Sequence, residues 1–276
     1  MGTLVVAQFV LIPSAWALAV TNRGHPLGSG RTPATVGLSY QDVRISSFDG
    51  TRLAGWWVAS HNGAAVIVLT GSGSTRDDVL AHAALVARAG YGALLLDFRG
   101  HGDSGGRIMD LGWGAERDVH AAVSWVLARP GVSRVGVLGL SMGGEVALTA
   151  AAQDRRIAAV VAEGATARTW DDARSDPGVN PVATANEWLQ LRLIGLLAPE
   201  PQPVPLLEAV RRINVPVLLI AGNGPKEAEL DSLYAKAAPD TVTLWSIADT
   251  PHTQGLWTHP TGYRQRVLGL FDAALG

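Results

Sequence analysis

The 276-residue chain contains no cysteine. Disulfides, thiol nucleophiles and zinc–thiolate sites are therefore excluded, and the redox state of its compartment is left open. A basic surplus is also missing: 22 Lys and Arg stand against 24 Asp and Glu, a formal net charge of −2. Nucleic-acid partners usually demand a basic patch or stripe, and no such stripe, no fixed-period repeat and no long low-complexity block occurs here. A third absence is local. From Gly2 to Asn22, "GTLVVAQFVLIPSAWALAVTN" carries no charged side chain, and Arg23 is the first. About twenty mostly apolar residues is the length that spans a bilayer as a helix. Residues 1–22 thus predict a membrane anchor, and a membrane as a partner, although Gln8, Pro13 and Ser14 interrupt the run. A secretory signal cut after Ala15-Trp16-Ala17 or Ala17-Leu18-Ala19 is the alternative, giving a secreted product, but it lacks the basic n-region. A hydrophobic helix packed on the domain is the third reading. Arg23 and Arg31 precede the first acidic residue, Asp42, a weak positive-inside vote for a cytoplasmic main domain.

What is present is enough apolar material for a sizeable core: 47% of residues are hydrophobic. Residues 23–38, rich in Gly, Pro, Ser and Thr, read as a linker, and 39–276 as one α/β domain. "DVRIS" and "RLAGWWVAS" flank an Asp49-Gly50 turn and predict an antiparallel hairpin. Alternation follows. "AAVIVLT", "YGALLLDF", "RVGVLGL", "IAAVVAE", "VPVLLIAG" and "TVTLWSIA" are short, apolar strands. Helices are expected over 77–89, 115–128, from the second glycine-rich turn through 152, over 227–237 and over 262–274. Continuously apolar strands alternating with helices indicate a mostly parallel, doubly wound sheet. Ligands in such sheets bind beyond the carboxyl ends of the strands. The stretch of about 164–212 separates two sheet strands and reads as a small helical cap, with a helix over 183–197. Its Leu189, Leu193, Ile194 and Leu197 are either pocket lining or plain packing.

Gly139-Leu140-Ser141-Met142-Gly143 falls between a strand and a helix, which fits the Gly-x-Ser-x-Gly nucleophile elbow. The serine hydroxyl then stands at a helix N-terminus, where the dipole favours developing negative charge. "VLTGSGSTRDD" supplies another glycine-rich turn after a strand. There the backbone N–H of Ser72, with that of Met142, can form an oxyanion hole; an ordinary strand–helix turn is the plainer alternative. Asp97, Arg99, His101 and Asp103 in "LLLDFRGHGDSGG" resemble a catalytic cluster, but hydrogen bonding to backbone explains them better.

With these residues in view, the chain from about Tyr40 onward resembles the α/β-hydrolase superfamily, on its "DFRGHGDSGG" loop and "GLSMGGEVAL" elbow. The resemblance implies an α/β-hydrolase sheet, a Ser-acid-His triad and acyl transfer to water, with no metal and no organic cofactor. One departure is Thr70-Gly71, where His-Gly is common in the oxyanion loop; backbone donors do not need that histidine. A serine hydroxyl needs a base. His82 and His120 fall on predicted helices, His61 in an early turn and His25 in the linker. His252 follows the last strand, where the family places its base, whereas His259 precedes Pro260 and opens the closing helix. The family usually sets an aspartate about three residues past the glycine ending the penultimate strand, and Pro225 holds that position. Proline cannot orient an imidazole. Glu227, nearest to the strand end, is the expected acid; Glu229 and Asp231 lie further along, and Glu163 after an earlier strand is the main rival.

The expectation is therefore a serine hydrolase acting on a small-molecule carboxylic ester or thioester through an acyl-serine intermediate. Peptidase or amidase activity and acyl transfer to an alcohol are alternatives on the same triad. From other classes come a catalytically inactive hydrolase-fold binding protein and a subunit of a membrane complex.

Overall fold

The computed structural model describes residues 10–22, 24–107, 111–175, 181–198, 200–224 and 226–276. The strands are β1 (Gln41–Ser46), β2 (Arg52–Val58), β3 (Ala64–Leu69), β4 (Gly92–Leu96), β5 (Arg134–Leu140), β6 (Ile157–Glu163), β7 (Val217–Ala221) and β8 (Val242–Ser246). They form one sheet in the order β1-β2-β4-β3-β5-β6-β7-β8. The turn at Asp49-Gly50, with Gly50 at φ 84°, returns β2 antiparallel onto β1. β2 is also antiparallel to β4, and the remaining pairs are parallel. Parallel neighbours require crossover connections. These are α2 (Leu80–Arg88), α3 (Ala115–Leu127), α4 (Met142–Ala151) and α8 (Glu227–Ala237), and the short α9 (Gly255–Thr258) and α10 (Pro260–Leu275) close the chain.

Both faces of the sheet are covered, which is why its central strands show no polar alternation. Ile67, Leu69 and Val137 pack with Val119, Val123, Val146 and Leu148 of α3 and α4. Val66, Val68, Leu95 and Leu138 point the other way, onto Val86, Val267 and Phe271 of α2 and α10. All ten residues of α4 are buried, as expected of an Ala- and Leu-rich helix lying between a sheet and other helices. The chain runs from β3 to β4 on one side and then crosses to β5 on the other. That reversal opens a crevice at the carboxyl ends of β3 and β5. Leu69 is level with Gly139, Leu140 with Glu163, and Glu163 with Ile220. Thr70, Ser141, Gly164 and Gly222 therefore leave the sheet along one edge.

Between β6 and β7 the chain forms α5 (Trp170–Ala173), α6 (Pro181–Leu197) and α7 (Leu206–Arg212). The two short helices were not anticipated. Asp172 fastens them: one carboxyl oxygen accepts from Thr169 N and Oγ1, the other from Leu206 N at 2.6 Å.

The N-terminal expectation is corrected. Among the described residues no helix is long and apolar enough to cross a membrane. Of the proposed anchor, residues 1–9 lie outside the described residues, and α1 (Ile12–Asn22) is 11 residues long. At 1.5 Å per residue it reaches roughly 16 Å, about half a bilayer's hydrocarbon thickness. Ala17 and Val20 are instead buried with Trp113, Leu191 and Ile194. Arg107 pins the helix end, with Nε to Thr21 O at 3.1 Å and Nη2 to Asn22 Oδ1 at 2.8 Å. The physical reason for the misreading is that an apolar helix face looks the same in sequence whether lipid or protein covers it. The inferences of a membrane location and a membrane partner rested on this segment and fall with it.

Candidate active site

β5 ends at Leu140, and the chain turns so sharply that Ser141 holds φ 53° and ψ −124°. A positive φ is costly for a non-glycine residue and persists only where its surroundings enforce it. Three hydrogen bonds do so: Ser141 N to Glu163 O at 2.7 Å, and Gly144 N and Glu145 N to Ser141 O at 2.8 and 3.1 Å. The elbow's glycines are steric necessities. A Cβ on Gly143 would lie 2.5 Å from Thr70 O, and one on Gly139 would overlap the backbone of Gly143. β3, β5 and α4 can approach this closely only without those side chains.

Ser141 Oγ lies 3.0 Å from Nε2 of His252. His252 sits in the loop after β8, and its Nδ1 is hydrogen-bonded to Oε1 of Glu227. Glu227 is the first residue of α8 and is fully buried. Its Oε2 accepts from Gly222 N at 2.8 Å. Its carboxylate reaches back over the loop because Gly224 has no Cβ; a side chain there would collide with Oε1. The hydrogen bond to Glu227 holds the His252 imidazole above its ordinary 6.5, outweighing partial burial, which acts the other way. Hydroxyl, imidazole and carboxylate thus form one hydrogen-bonded line in which a proton can pass from Ser141 to His252 while Glu227 supports the cation.

Met142 and Ser72 flank Ser141. Met142 opens α4, Ser72 follows Gly71 after β3, and both line a cavity of about 620 Å³ in front of Ser141. Gly71 is close enough that a Cβ there would lie 3.3 Å from Ser141 Cβ. A second cavity of about 390 Å³ opens on the His252 side, past Ser74 and Trp257.

The other sequence candidates lie elsewhere. Glu163 is buried, with Oε1 accepting from Gly255 N at 2.7 Å and Oε2 from the Tyr263 hydroxyl at 2.9 Å. It braces the loop carrying His252, and burial raises its carboxyl. Glu229 is exposed on α8. Asp231 is buried with no hydrogen-bond partner among the described residues, and burial pushes its carboxyl well above the usual range. Pro225 lies outside the described residues. His259 Nε2 pairs with Asp249 at 3.0 Å. Asp97 accepts from Arg76 N at 2.7 Å and Asp103 N at 3.1 Å, while Arg99 pairs with Asp118 and Asp49. Among the described residues no group of three or more His, Asp and Glu could hold a metal ion.

Sequence reasoning missed part of the cavity wall. Trp16, Ala19 and Val20 of α1 line it with Leu111, Ala167 and Glu145, whereas Ile194 packs against Ala17 and Trp113. Glu145 lies in the first turn of the helix that Ser141 caps, where an acidic residue reads as a complement to the helix dipole.

Sheet order, elbow and edge position together define an α/β-hydrolase of the serine-hydrolase class. Within it, the chain belongs to the X-Pro dipeptidyl-peptidase (S15) family, whose pattern matches residues 30–269. It is 30% identical over 187 residues to an uncharacterized protein of Mycobacterium tuberculosis, covering 66% of this chain and 60% of that one. It is 37% identical over 132 residues to the polyketide transferase grgF of Penicillium sp., covering 45% of each chain. The matched region thus spans 60% or less of these curated relatives. Among solved structures, the Pyrococcus furiosus esterase Pf2001 is similar, with a TM-score of 0.76 at 27% identity, over 93% of this chain and 99% of that one.

Proposed function

We propose that the protein is a serine hydrolase cleaving carboxylic esters or thioesters, with Ser141 as nucleophile, His252 as base and Glu227 as acid. The observation that carries this reading is the hydrogen-bonded line from Ser141 Oγ through His252 to Glu227, set at a strained elbow. In the first step His252 Nε2 takes the Ser141 proton as Oγ attacks the acyl carbonyl. The oxyanion forms against the backbone N–H groups of Met142 and Ser72. Glu227 stabilises the imidazolium, which then protonates the departing alkoxide or thiolate. Water, activated by the same histidine, hydrolyses the acyl-serine. The likeness to the Pyrococcus esterase supports ester cleavage.

The 620 Å³ cavity is the acyl site, and the smaller one beside His252 is where the leaving group departs. Residues 39–276 form the hydrolase domain and 23–38 the segment leading into it. The insertion of about 164–212 acts as a cap, because Thr166 and Ala167 at its start line the acyl cavity.

Ser141→Ala tests the reading. It is expected to fold normally, to lose kcat by on the order of 10⁴ or more on p-nitrophenyl esters, and to escape labelling by a fluorophosphonate. Activity within tenfold of wild type would end the hydrolase assignment. The family description favours one second reading, peptide cleavage after an X-Pro pair. Faster turnover of an X-Pro p-nitroanilide than of any ester in the panel would establish it instead.

A further inference from the structure

We propose that the cavity beside Ser141 is built for acyl groups bearing a hydroxyl near their carbonyl end, and that the unpaired carboxyl oxygen of Glu145 selects them. The inference rests on Ser141 being the nucleophile. Glu145 lies in the first turn of α4 and is only 6% exposed, yet it lines the cavity. Its Oε1 is fully engaged, accepting from Thr166 N at 3.0 Å and Thr166 Oγ1 at 2.9 Å. Its Oε2 has no hydrogen-bond partner among the described residues. That oxygen is open to the cavity, so a ligand group placed there meets an acceptor already held in position by the two hydrogen bonds to its partner oxygen. The position fixes where that ligand group must be. Residue 145 stands four residues beyond the N-cap Ser141, roughly 6 Å along the helix axis. A substituent close to the scissile carbonyl reaches it, and one at the end of a long chain does not.

The neighbouring groups decide the chemistry. The α1 wall is apolar at Trp16, Ala19 and Val20. Asn22 beside them is committed, its amide nitrogen to Leu18 O at 3.1 Å and its oxygen to Arg107 at 2.8 Å. Apart from Ser72 on the oxyanion side of Ser141, Glu145 is the polar group along this wall whose oxygen is left without a hydrogen bond among the described residues. An ammonium substituent is disfavoured by the guanidinium of Arg168, which is buried close by and acts on the Glu145 carboxyl. A carboxylate substituent is disfavoured by Glu145 itself. A hydroxyl both donates and accepts, so it pairs with the carboxyl whether or not that group holds its proton. Burial raises the carboxyl's proton affinity, which suits a neutral partner better than a charged one.

The test compares p-nitrophenyl 3-hydroxybutyrate with p-nitrophenyl butyrate on the full chain and on Glu145→Met, an unbranched replacement of similar length and good helix propensity. The wild type is expected to prefer the hydroxy ester by roughly tenfold in kcat/KM, the upper end of the net value of one hydrogen bond. In Glu145→Met the ratio is expected to fall to about one. A wild-type ratio near one overturns the proposal, as does a preference that survives in Glu145→Met. If that variant does not fold, the wild-type ratio decides alone. Fluorophosphonate labelling separates the two levels: a labelled, ester-cleaving protein without hydroxyl preference refutes only this inference, whereas an unlabelled Ser141 removes the hydrolase reading and this one with it.

Discussion

The carboxylate of Glu163 accepts a hydrogen bond from the Tyr263 hydroxyl at 2.9 Å, and its other oxygen takes the amide of Gly255. Both oxygens are thereby spent on bracing the loop that carries His252, and neither faces the imidazole's Nδ1. Glu227 has the complementary arrangement, one oxygen on the Gly222 amide and the other on Nδ1. Two buried carboxylates, one ending β6 and the other opening α8, therefore have different partners.

Substitution separates these roles. Glu227→Gln is expected to lower kcat on a p-nitrophenyl ester by about 10⁴, because the amide no longer fixes the imidazole tautomer or supports its charge. Glu163→Gln is expected to cost about tenfold, through a loosened loop, and Glu229→Gln less than twofold, since Glu229 is exposed on α8. Near-normal turnover in Glu227→Gln alongside a crippled Glu163→Gln would reverse the assignment.

The pH profile follows from the same hydrogen bond. In the proposed role His252 takes a proton only when neutral, and Glu227 holds its imidazole above 6.5. The acid limb of kcat/KM against pH is therefore expected above pH 6.5, with activity falling as pH drops through it. In Glu227→Gln the residual activity is expected to titrate lower than in the wild type, because the group that raised the imidazole is gone. An acid limb at or below 6.5 in the wild type would show that His252 in solution lacks this partner. The stability sign is opposite to that of activity: folded His252 binds its proton more tightly than the unfolded chain does. Its contribution is present below 6.5 and lost as pH rises through the raised value.

The sheet was legible in the sequence because strands buried on both faces leave uninterrupted apolar runs, as in "AAVIVLT" and "RVGVLGL". The elbow showed for a related reason. Gly139 and Gly143 are required by backbone contacts that exist only where a strand turns directly into a helix. Chain order pointed to His252 and Glu227, while their separation depends on Gly224, whose role appears only once the loop is folded. The wall of the cavity was not legible. Trp16 and Val20 sit in a run whose composition suits lipid as well as protein, and only the packing of Ala17 against Trp113 and Ile194 decides between them. Nor was Glu145 evident, since an acidic residue in a first helical turn ordinarily reads as a complement to the helix dipole.

His82 gives a stability prediction independent of catalysis. It is fully buried between Trp257 and Tyr263, and neither ring nitrogen has a hydrogen-bond partner among the described residues. Burial pushes its imidazole down to about 3. Glu163 Oε2 lies 3.9 Å away, but that carboxyl is itself raised by burial, so neither charge supports the other. Between pH 6.5 and 3 the unfolded chain binds a proton that the folded state excludes. Stability is accordingly present above pH 6.5 and lost as pH falls, by at most about 1.4 kcal/mol per unit. His82→Leu removes both unpaired nitrogens. It is expected to shrink the loss of unfolding free energy between pH 7 and pH 5 by about 2 kcal/mol in urea titrations. An unchanged pH dependence would show that His82 is hydrated or paired in solution.

The last prediction concerns α1 as a wall of the proposed acyl site. Trp16 is 37% exposed and lines the cavity, while Ala17 and Val20 on the adjoining face hold the helix to the fold. Trp16→Ala therefore removes wall without removing the anchor points, and is expected to leave the melting temperature within a few degrees of wild type, as substitutions at part-exposed sites generally do. The space released admits a longer chain. Each additional buried methylene contributes about 0.8 kcal/mol, roughly a fourfold gain in kcat/KM for each carbon the enlarged cavity accepts. Across p-nitrophenyl esters from acetate to decanoate, the optimum is expected to move toward longer chains, with short esters little changed because they end before the tryptophan. If the profile of Trp16→Ala overlays that of the wild type, the acyl chain does not run toward α1. It must then leave Ser141 on the His252 side, and the assignment of the two cavities is reversed.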